Sequence, residues 1–307
     1  MSKTAEENFL ENYDINKYDR PSLAADIAVF SIGRKESAEV DYRKLPPKRL
    51  RILMIRRAEQ PFQDKWALPG GFMKKGETIY ETARRELKEE TGTDKAYLEL
   101  CQVFSDSNRD PRGWIVSQAF MAVLNEEDIA KGHITASGDA GDAAWFDVSV
   151  RKVSETRQEN DNEITCDNDY ELILEGDEGL KDENSLVLKS LVREHMEYRD
   201  YHEITEYHIV DAQGIAFDHA RIIVSVFNRL RRMLSNDIRI AFDFMPKSFT
   251  LTDIQETVEL ISGQELVKPN FRRKIADYVM ETDQVIQNGG HRPAKAFVRN
   301  LDKFYEP

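Results

Sequence analysis

The stretch "GGFMKKGETIYETARRELKEETGT", residues 70–93, constrains this chain more than any other. Eight charged side chains lie between Glu77 and Glu90, yet strand-like apolar runs flank the segment on both sides. The spacing predicts a helix over about 78–91, with Ile79, Ala83 and Leu87 recurring every four residues as its buried stripe. Glu86 and Glu90 are also four apart and share another face, with Glu89 beside them. Carboxylates gathered in this way repel one another unless a cation neutralises them, and hard oxygen donors suit Mg2+ or Mn2+. Gly70–Gly71 lets the backbone come close and lend a carbonyl. Arg85 can pair with Glu81 or Glu89 and stiffen the helix, and Gly92 ends it. A cation held there would bind diphosphate oxygens and activate water. The plainer alternative is a solvated helix face laced with ion pairs.

The surroundings give this helix a frame. "LAADIAVFSI", "RLRILMIRR" and "KWALPGGF" precede it as strands, and "YLELCQVF", "GWIVSQAFMAVL" and "AAWFDV" follow. A β-β-α-β-β order fits one α/β domain over residues 23–149. Residues 1–22 are polar and acidic, with no apolar leader core, and suggest a mobile or swapped arm. Residues 150–215 mix strand-like runs ("YELILEG", "HEITEYHIV") with acidic loops and suggest a hairpin-rich insert. "SLVLKSLVREHMEY" fits helix or strand equally, because a short apolar run does not decide between them.

The chain has 307 residues and a net charge of −13, enough for two ordinary domains. Residues 151–207 carry 17 acidic and 7 basic side chains, whereas residues 216–307 carry 12 and 14. Overall acidity argues against non-specific nucleic-acid binding but leaves room for a basic reading surface in the last third. Two cysteines, Cys101 and Cys166, form no metal or disulfide pattern, and no apolar run is long enough to span a membrane. A reducing, cytoplasmic setting is expected.

Residues 216–307 change character. "DHARIIVSVFNRLRRML" has helical apolar spacing at Ile222, Val226 and Leu230. "FTLTDIQETVELISG" opens on a hydroxyl cap and closes on Gly263, and "PNFRRKIADYVMETD" opens on Pro269. "VIQNGGHRPAKAFVR" suggests a hairpin turning at Gly289–Gly290. Three helices and a hairpin are the order of a winged helix-turn-helix. In the third helix Phe271, Ile275, Tyr278 and Val279 are expected to pack inward, leaving Asn270, Arg272, Arg273 and Lys274 for DNA, with Arg292 and His291 on the wing. Such readers are usually dimers on two-fold sites; the apolar face of the helix over 218–234 and the N-terminal arm are candidate contacts. The alternative is an amphipathic helix in a winged domain used only for dimerisation.

The order Gly71-x5-Glu77-x7-Arg85-Glu86-Leu87-x-Glu89-Glu90-x-Gly92 resembles the Nudix box, departing only at Thr93, where an aliphatic residue is usual. The resemblance implies an α/β/α sandwich with a mixed sheet, and a hydrolase of nucleoside diphosphates linked to another moiety. It also implies Glu86, Glu89 and Glu90, with the Gly70 carbonyl, as metal ligands, and Glu77 and Arg85 as braces. The general base is often supplied from outside the box, with Asp139, Asp142, Glu126 and Glu127 as candidates. "NRDPRG", around Arg109 and Arg112, is similar to a motif in Nudix domains that hydrolyse or sense ADP-ribose. Two arginines there would clamp phosphate or carboxylate together with Gly71. "AFDHARIIV", "FTLTDIQETVELISGQELVKPNFRRKI" and "GHRPAKAFV" resemble the C-terminal domain of Nudix-related transcriptional regulators of NAD and pentose metabolism. The expectation is a bifunctional homodimer that binds and hydrolyses ADP-ribose or a related nucleotide sugar and reads double-stranded operator DNA. Its rival is a plain hydrolase.

Overall fold

A computed structural model describes residues 3–304 except 35–46, 94, 132–139, 161–162, 177–185, 201 and 288–292. The expected hairpin tip, with Gly289, Gly290, His291 and Arg292, lies outside the described residues, as does Asp139. The polar N-terminal segment forms α1 (Ala5–Asn12), capped by Thr4, and a single 3-10 turn at Ile15–Lys17. Neither element buries a residue, and Phe9, Leu10, Tyr13, Ile15 and Tyr18 are exposed.

β1 (Ser22–Arg34) is buried along almost its whole length because both of its faces are covered. β2 (Lys48–Arg57) pairs with it antiparallel. The next apolar run, expected as one strand, is two: β3 (Trp66–Ala67) pairs with β2 and β4 (Gly70–Phe72) with β1. Pro69 stands between them, where a ladder donor would be needed. Then come α2 (Ile79–Thr91), β5 (Tyr97–Phe104), β6 (Ile115–Leu124), α3 (Glu126–Lys131) and β7 (Ala140–Asn160). β1 and β6 pair parallel and the other ladders antiparallel, so the sheet is mixed.

β7 runs without a break past residue 150, the expected domain boundary. It continues by hairpins into β8 (Glu163–Gly176), β9 (Val187–Arg199) and β10 (His202–Ala212), giving the order β10-β9-β8-β7-β2-β1-β6-β5. The ambiguous run is therefore the strand β9. Leu188, Ser190, Val192 and Glu194 are all buried, a period of two that a helix does not produce. Glu194 is 3% exposed and accepts hydrogen bonds from Asn168 Nδ2 and Tyr170 Oη, each at 3.1 Å, and from Tyr207 Oη. A buried carboxylate requires such partners.

The two faces of the sheet hold two cores. Ala25, Ile27, Val29, Leu53 and Phe120 pack against Ala83 and Leu87 of α2. On the other face Ala28, Phe30, Ile52, Met54 and Phe146 meet α4 (His219–Asn236). α4 thus completes the α/β/α sandwich. Its Ile222, Val226 and Leu230 are fully buried, so they are not the dimer contacts expected from the sequence. Fully burying one such side chain is worth roughly 1.5–3 kcal/mol, and the sheet supplies that partner within the chain.

Beyond α4, a 3-10 segment (Ile238–Phe244) leads to α5 (Leu251–Ser262), α6 (Lys268–Ile275), the hairpin β11 (Val279–Ile286) and β12 (Ala294–Arg299), and the short α7 (Leu301–Phe304). α5 opens with a Thr250–Asp253 capping box and ends on Gly263 in the left-handed conformation. The third helix is shorter than expected. It stops at Ile275, a 3-10 turn follows, and Val279 already belongs to β11. The returning chain captures this segment: Asn300 N donates to Tyr278 O and Asn300 Nδ2 to Asp277 O, each at 2.9 Å. Tyr278 instead joins Phe249 and Phe304 around the ring of Phe242.

α5 is fastened to the sandwich. Lys48 Nζ reaches Asp253 Oδ1 at 3.0 Å and Asp253 O at 2.9 Å, and Arg34 lies 3.5 Å from the same carboxylate. No helix among the described residues is long and apolar enough to cross a membrane. Burial pushes the Cys101 thiol up to about 12, which leaves it inert at neutral pH.

Candidate active site

α2 is fixed at both ends before any ligand is considered. Thr78 and Glu81 form a capping box at its start, and Gly92, at φ 71°, closes it. With Ala83 and Leu87 locked into the core, Glu86 and Glu90 turn toward a cleft of about 410 Å3 and are 9% and 6% exposed; Glu89 remains exposed. Burial raises the carboxyl pKa of Glu86, against the opposing pull of Arg85.

Arg85 ties the cradle together. Its Nε donates to Glu77 Oε1 at 2.7 Å, its Nη1 to Glu86 Oε1 at 2.5 Å, and its Nη2 to Phe72 O at 3.1 Å. Glu89 lies 3.6 Å from the same guanidinium. Hydrogen bonding from Arg85, then from Lys74 N, lowers the Glu77 carboxyl to about 2. The bracing that Glu77 contributes is therefore present above the ordinary glutamate range and is lost as pH falls toward 2. The glycine pair is explained by space. A Cβ on Gly70 would stand 2.2 Å from Ala25 O, and one on Gly71 2.2 Å from Glu86 Oε1.

The opposite wall holds a buried network. Asp26 of β1 accepts from Ser117 Oγ at 2.5 Å and from Arg109 Nη2 at 3.3 Å, and it lies 3.6 Å from His219 Nε2. Arg109 also grips Asp218 with both arms of its fork, Nε to Oδ2 at 2.9 Å and Nη2 to Oδ1 at 2.7 Å. The backbone N–H of Leu68 donates to His219 Nδ1 at 2.8 Å, which leaves the proton of the neutral ring on Nε2, facing Asp26. Burial lowers the His219 pKa and keeps the imidazole neutral. The start of α4 is thereby sewn into the cleft.

The comparisons with known proteins agree with this geometry. Residues 45–166 match the NUDIX domain model, and residues 241–298 match the NrtR DNA-binding winged helix domain. An ADP-ribose pyrophosphatase of Methanocaldococcus jannaschii is 35% identical over 149 residues, 48% of this chain and 77% of that protein. The chain belongs to the Nudix family. Its Nudix domain is joined to a winged helix domain of NrtR type. The ADPR-responsive transcriptional repressor NtrR of Acinetobacter baylyi is 26% identical over 96% of this chain and 88% of its own length. A MutT/nudix family protein of Enterococcus faecalis shares the fold with a TM-score of 0.58, at 23% identity, covering 98% of this chain and all of that one.

The Nudix cleft gathers Gly70, Gly71, Arg85, Glu86, Glu89, Glu90, Arg109 and Arg112 on its lining. The two arginines are not, however, an open phosphate clamp. The Arg109 side chain is 3% exposed and is held by Asp218 and Asp26. Arg112 is folded onto Asp110, with Nη2 to Oδ2 at 2.7 Å. A sequence motif shows that two guanidinium groups are present, but not which carboxylates of the same chain take them. Of the candidate bases, Glu126, Glu127 and Asp142 are absent from the cleft lining. Sequence reasoning passed over Asp26, Asp218, His219 and Phe217. The signal for Asp26 was a lone carboxylate within the apolar run "LAADIAVFSI".

Nudix hydrolases generally use divalent metal ions. Among the described residues no three carboxylate, imidazole or thiol side chains converge on one point. The donors nonetheless fit a hard cation. They are all oxygen, two of them are buried, and the Glu86 carboxylate lies directly against the Gly71 backbone.

On the winged domain, Asn270, Arg272, Arg273 and Lys274 of α6 are exposed while Phe271 and Ile275 are buried. Arg273→Ala is expected to cost about 1–3 kcal/mol on a specific operator and to relax its sequence preference. Lys274→Ala is expected to weaken all duplexes alike and flatten the salt slope. Fluorescence anisotropy with specific and scrambled duplexes reads both effects. Unchanged binding for both variants would move the reading surface away from α6.

Proposed function

We propose that this chain is a cytoplasmic, homodimeric regulator that binds and hydrolyses ADP-ribose, or a related nucleoside-diphosphate sugar, and reads operator DNA through α6. The observation that carries the reading is the complete Nudix box folded as a cradle, with Glu86 and Glu90 buried on the cleft wall beside Gly70–Gly71. Glu86, Glu89, Glu90 and the Gly70 carbonyl would hold Mg2+ or Mn2+, which when bound supplies charge neutralisation of the diphosphate and an activated water. Arg85 and Glu77 hold the loop and α2 in place, so that the carboxylates do not spread. In the proposed division, residues 1–22 are an arm, 23–149 with the 150–215 insert form the enzyme body, and 216–307 carry the DNA reader.

The coupling between the halves has a physical route, since α4 starts in the cleft at Asp218 and His219 and packs further along against α5. Ligand binding that favours one arrangement of α4 changes DNA affinity, and linkage requires DNA to change ligand affinity by the same factor. The experiment combines a hydrolysis panel of nucleotide sugars in Mg2+ with titration of ADP-ribose into protein bound to labelled upstream DNA, with mass by light scattering. AMP and ribose 5-phosphate as products, a dimeric mass and displacement of DNA are expected. Hydrolysis by a protein that never binds DNA would favour the plain hydrolase, with the winged domain reserved for dimerisation. A strictly monomeric mass with and without DNA would contradict the dimer.

A further inference from the structure

Within the cleft, one arrangement is used by none of the steps above. The Arg112 guanidinium carbon lies 5.1 Å from the centre of the Phe72 ring and 5.0 Å from that of Phe217. Phe72 follows the glycine pair on β4, whereas Phe217 precedes Asp218 at the entry to α4, so the two rings come from opposite walls of the same cleft. Phe72 is 41% exposed, and the Arg112 side chain 39%. Phe217 adopts φ 51°, a region that side chains other than glycine rarely occupy. It is held there by the Phe62 ring at 4.7 Å and by Arg57 at 4.9 Å.

We infer that the slot between Phe72 and Phe217 receives the flat base of a nucleotide ligand, and that Arg112 is the plug the base displaces. A heterocycle centred where the guanidinium stands would have both rings at about 5 Å, inside the roughly 4.5–7 Å range of favourable aromatic pairs. Guanidinium and purine are interchangeable occupants, because each is planar and each stacks on a ring face. Displaced Arg112 gives up its side-chain hydrogen bonds to Asp110, whose carboxylate keeps the bond from Arg112 N at 2.9 Å. This assignment rests on reading the cleft as a nucleoside-diphosphate site, and it makes Phe72 and Phe217 specificity-determining residues for the base.

The test uses full-length protein with Mg2+ and two non-hydrolysable probes in isothermal titration. The α,β-methylene analogue of ADP-ribose carries the base, whereas methylenediphosphonate carries only the phosphorus centres. Phe72→Ala is expected to weaken the nucleotide analogue about 10-fold or more, the scale of one lost base stack, and to leave methylenediphosphonate unchanged. Phe72→Tyr, which keeps the ring, is expected to restore the affinity. Arg112→Leu is expected to bind the nucleotide analogue at least as tightly as the wild type. Unaltered affinity in Phe72→Ala overturns the slot. Parallel loss of both probes in Arg112→Leu also overturns it, and makes Arg112 a phosphate ligand. Failure of the wild type to bind either probe overturns the nucleoside-diphosphate reading and the slot with it, whereas binding of both with no effect of Phe72→Ala overturns the slot alone.

Discussion

Glu90→Gln is expected to lower Mg2+-dependent hydrolysis of ADP-ribose by at least about 10²-fold, the scale of removing one charge-stabilising group from an active site. Glu90 lies four residues after Glu86 on the cleft face of α2 and is 6% exposed, so solvent does little to replace a lost carboxylate. Glutamine keeps the shape but removes the charge. The thermal midpoint is therefore expected to change little, or to rise as repulsion from Glu86 falls. Initial rates of AMP release, with melting curves on the same samples, separate chemistry from folding. Equal rates for both proteins on every nucleotide sugar tried would remove Glu90 from the reaction.

The second large effect concerns stability. Asp218→Ala leaves the Arg109 fork, 3% exposed, with Asp26 at 3.3 Å as its remaining carboxylate. Breaking a buried pair from one side costs about 3–5 kcal/mol. The loss is expected toward the lower end, because Asp26 still neutralises part of the charge. Urea denaturation reads the change directly. Joint replacement with apolar residues, Arg109→Met with Asp218→Leu, is not expected to recover the loss, because it leaves the buried Asp26 carboxylate without its arginine partner. A loss below about 0.5 kcal/mol, the scale of an ordinary surface substitution, would show that the network does not hold the start of α4 in the cleft. Burial alone would raise the Asp218 pKa, but the Arg109 fork outweighs it and holds the value below the ordinary 3.8. That contribution is accordingly complete at neutral pH and is lost as the pH falls through the depressed value.

Local signals made much of this molecule legible. The i, i+4 stripe of Ile79, Ala83 and Leu87 fixed which face of α2 turns inward, and with it where Glu86 and Glu90 point. Thr250 and Gly263 likewise marked the ends of α5. Pairing between distant segments was less legible. The apolar face of α4 is the same whether it meets a sheet of its own chain or another copy, and only tertiary placement put it on Phe30, Met54 and Phe146. Arg109 of "NRDPRG" reads as a ligand clamp in the sequence because its carboxylate partner, Asp218, lies 109 positions away in the chain. α6 was read too long because Tyr278 and Val279 continue an i, i+3/i+4 pattern, while Asn300 and the hairpin take them into another conformation.

α4 belongs to two structures at once. It is the second outer layer of the sandwich and also the base on which the 3-10 segment and α5 rest. The junction between enzyme and DNA reader is thus a shared wall rather than a linker. A chain cut before His219 would leave Phe30, Ile52, Met54 and Phe146 facing water and would be prone to aggregate, although every residue of the Nudix box would be intact. Beyond Asn236 the winged domain is still tied to the sandwich, by Lys48 on Asp253 of α5. Exchange of DNA-reading modules between relatives is correspondingly constrained: a donor domain must fit the far end of a helix whose near end already serves the active site.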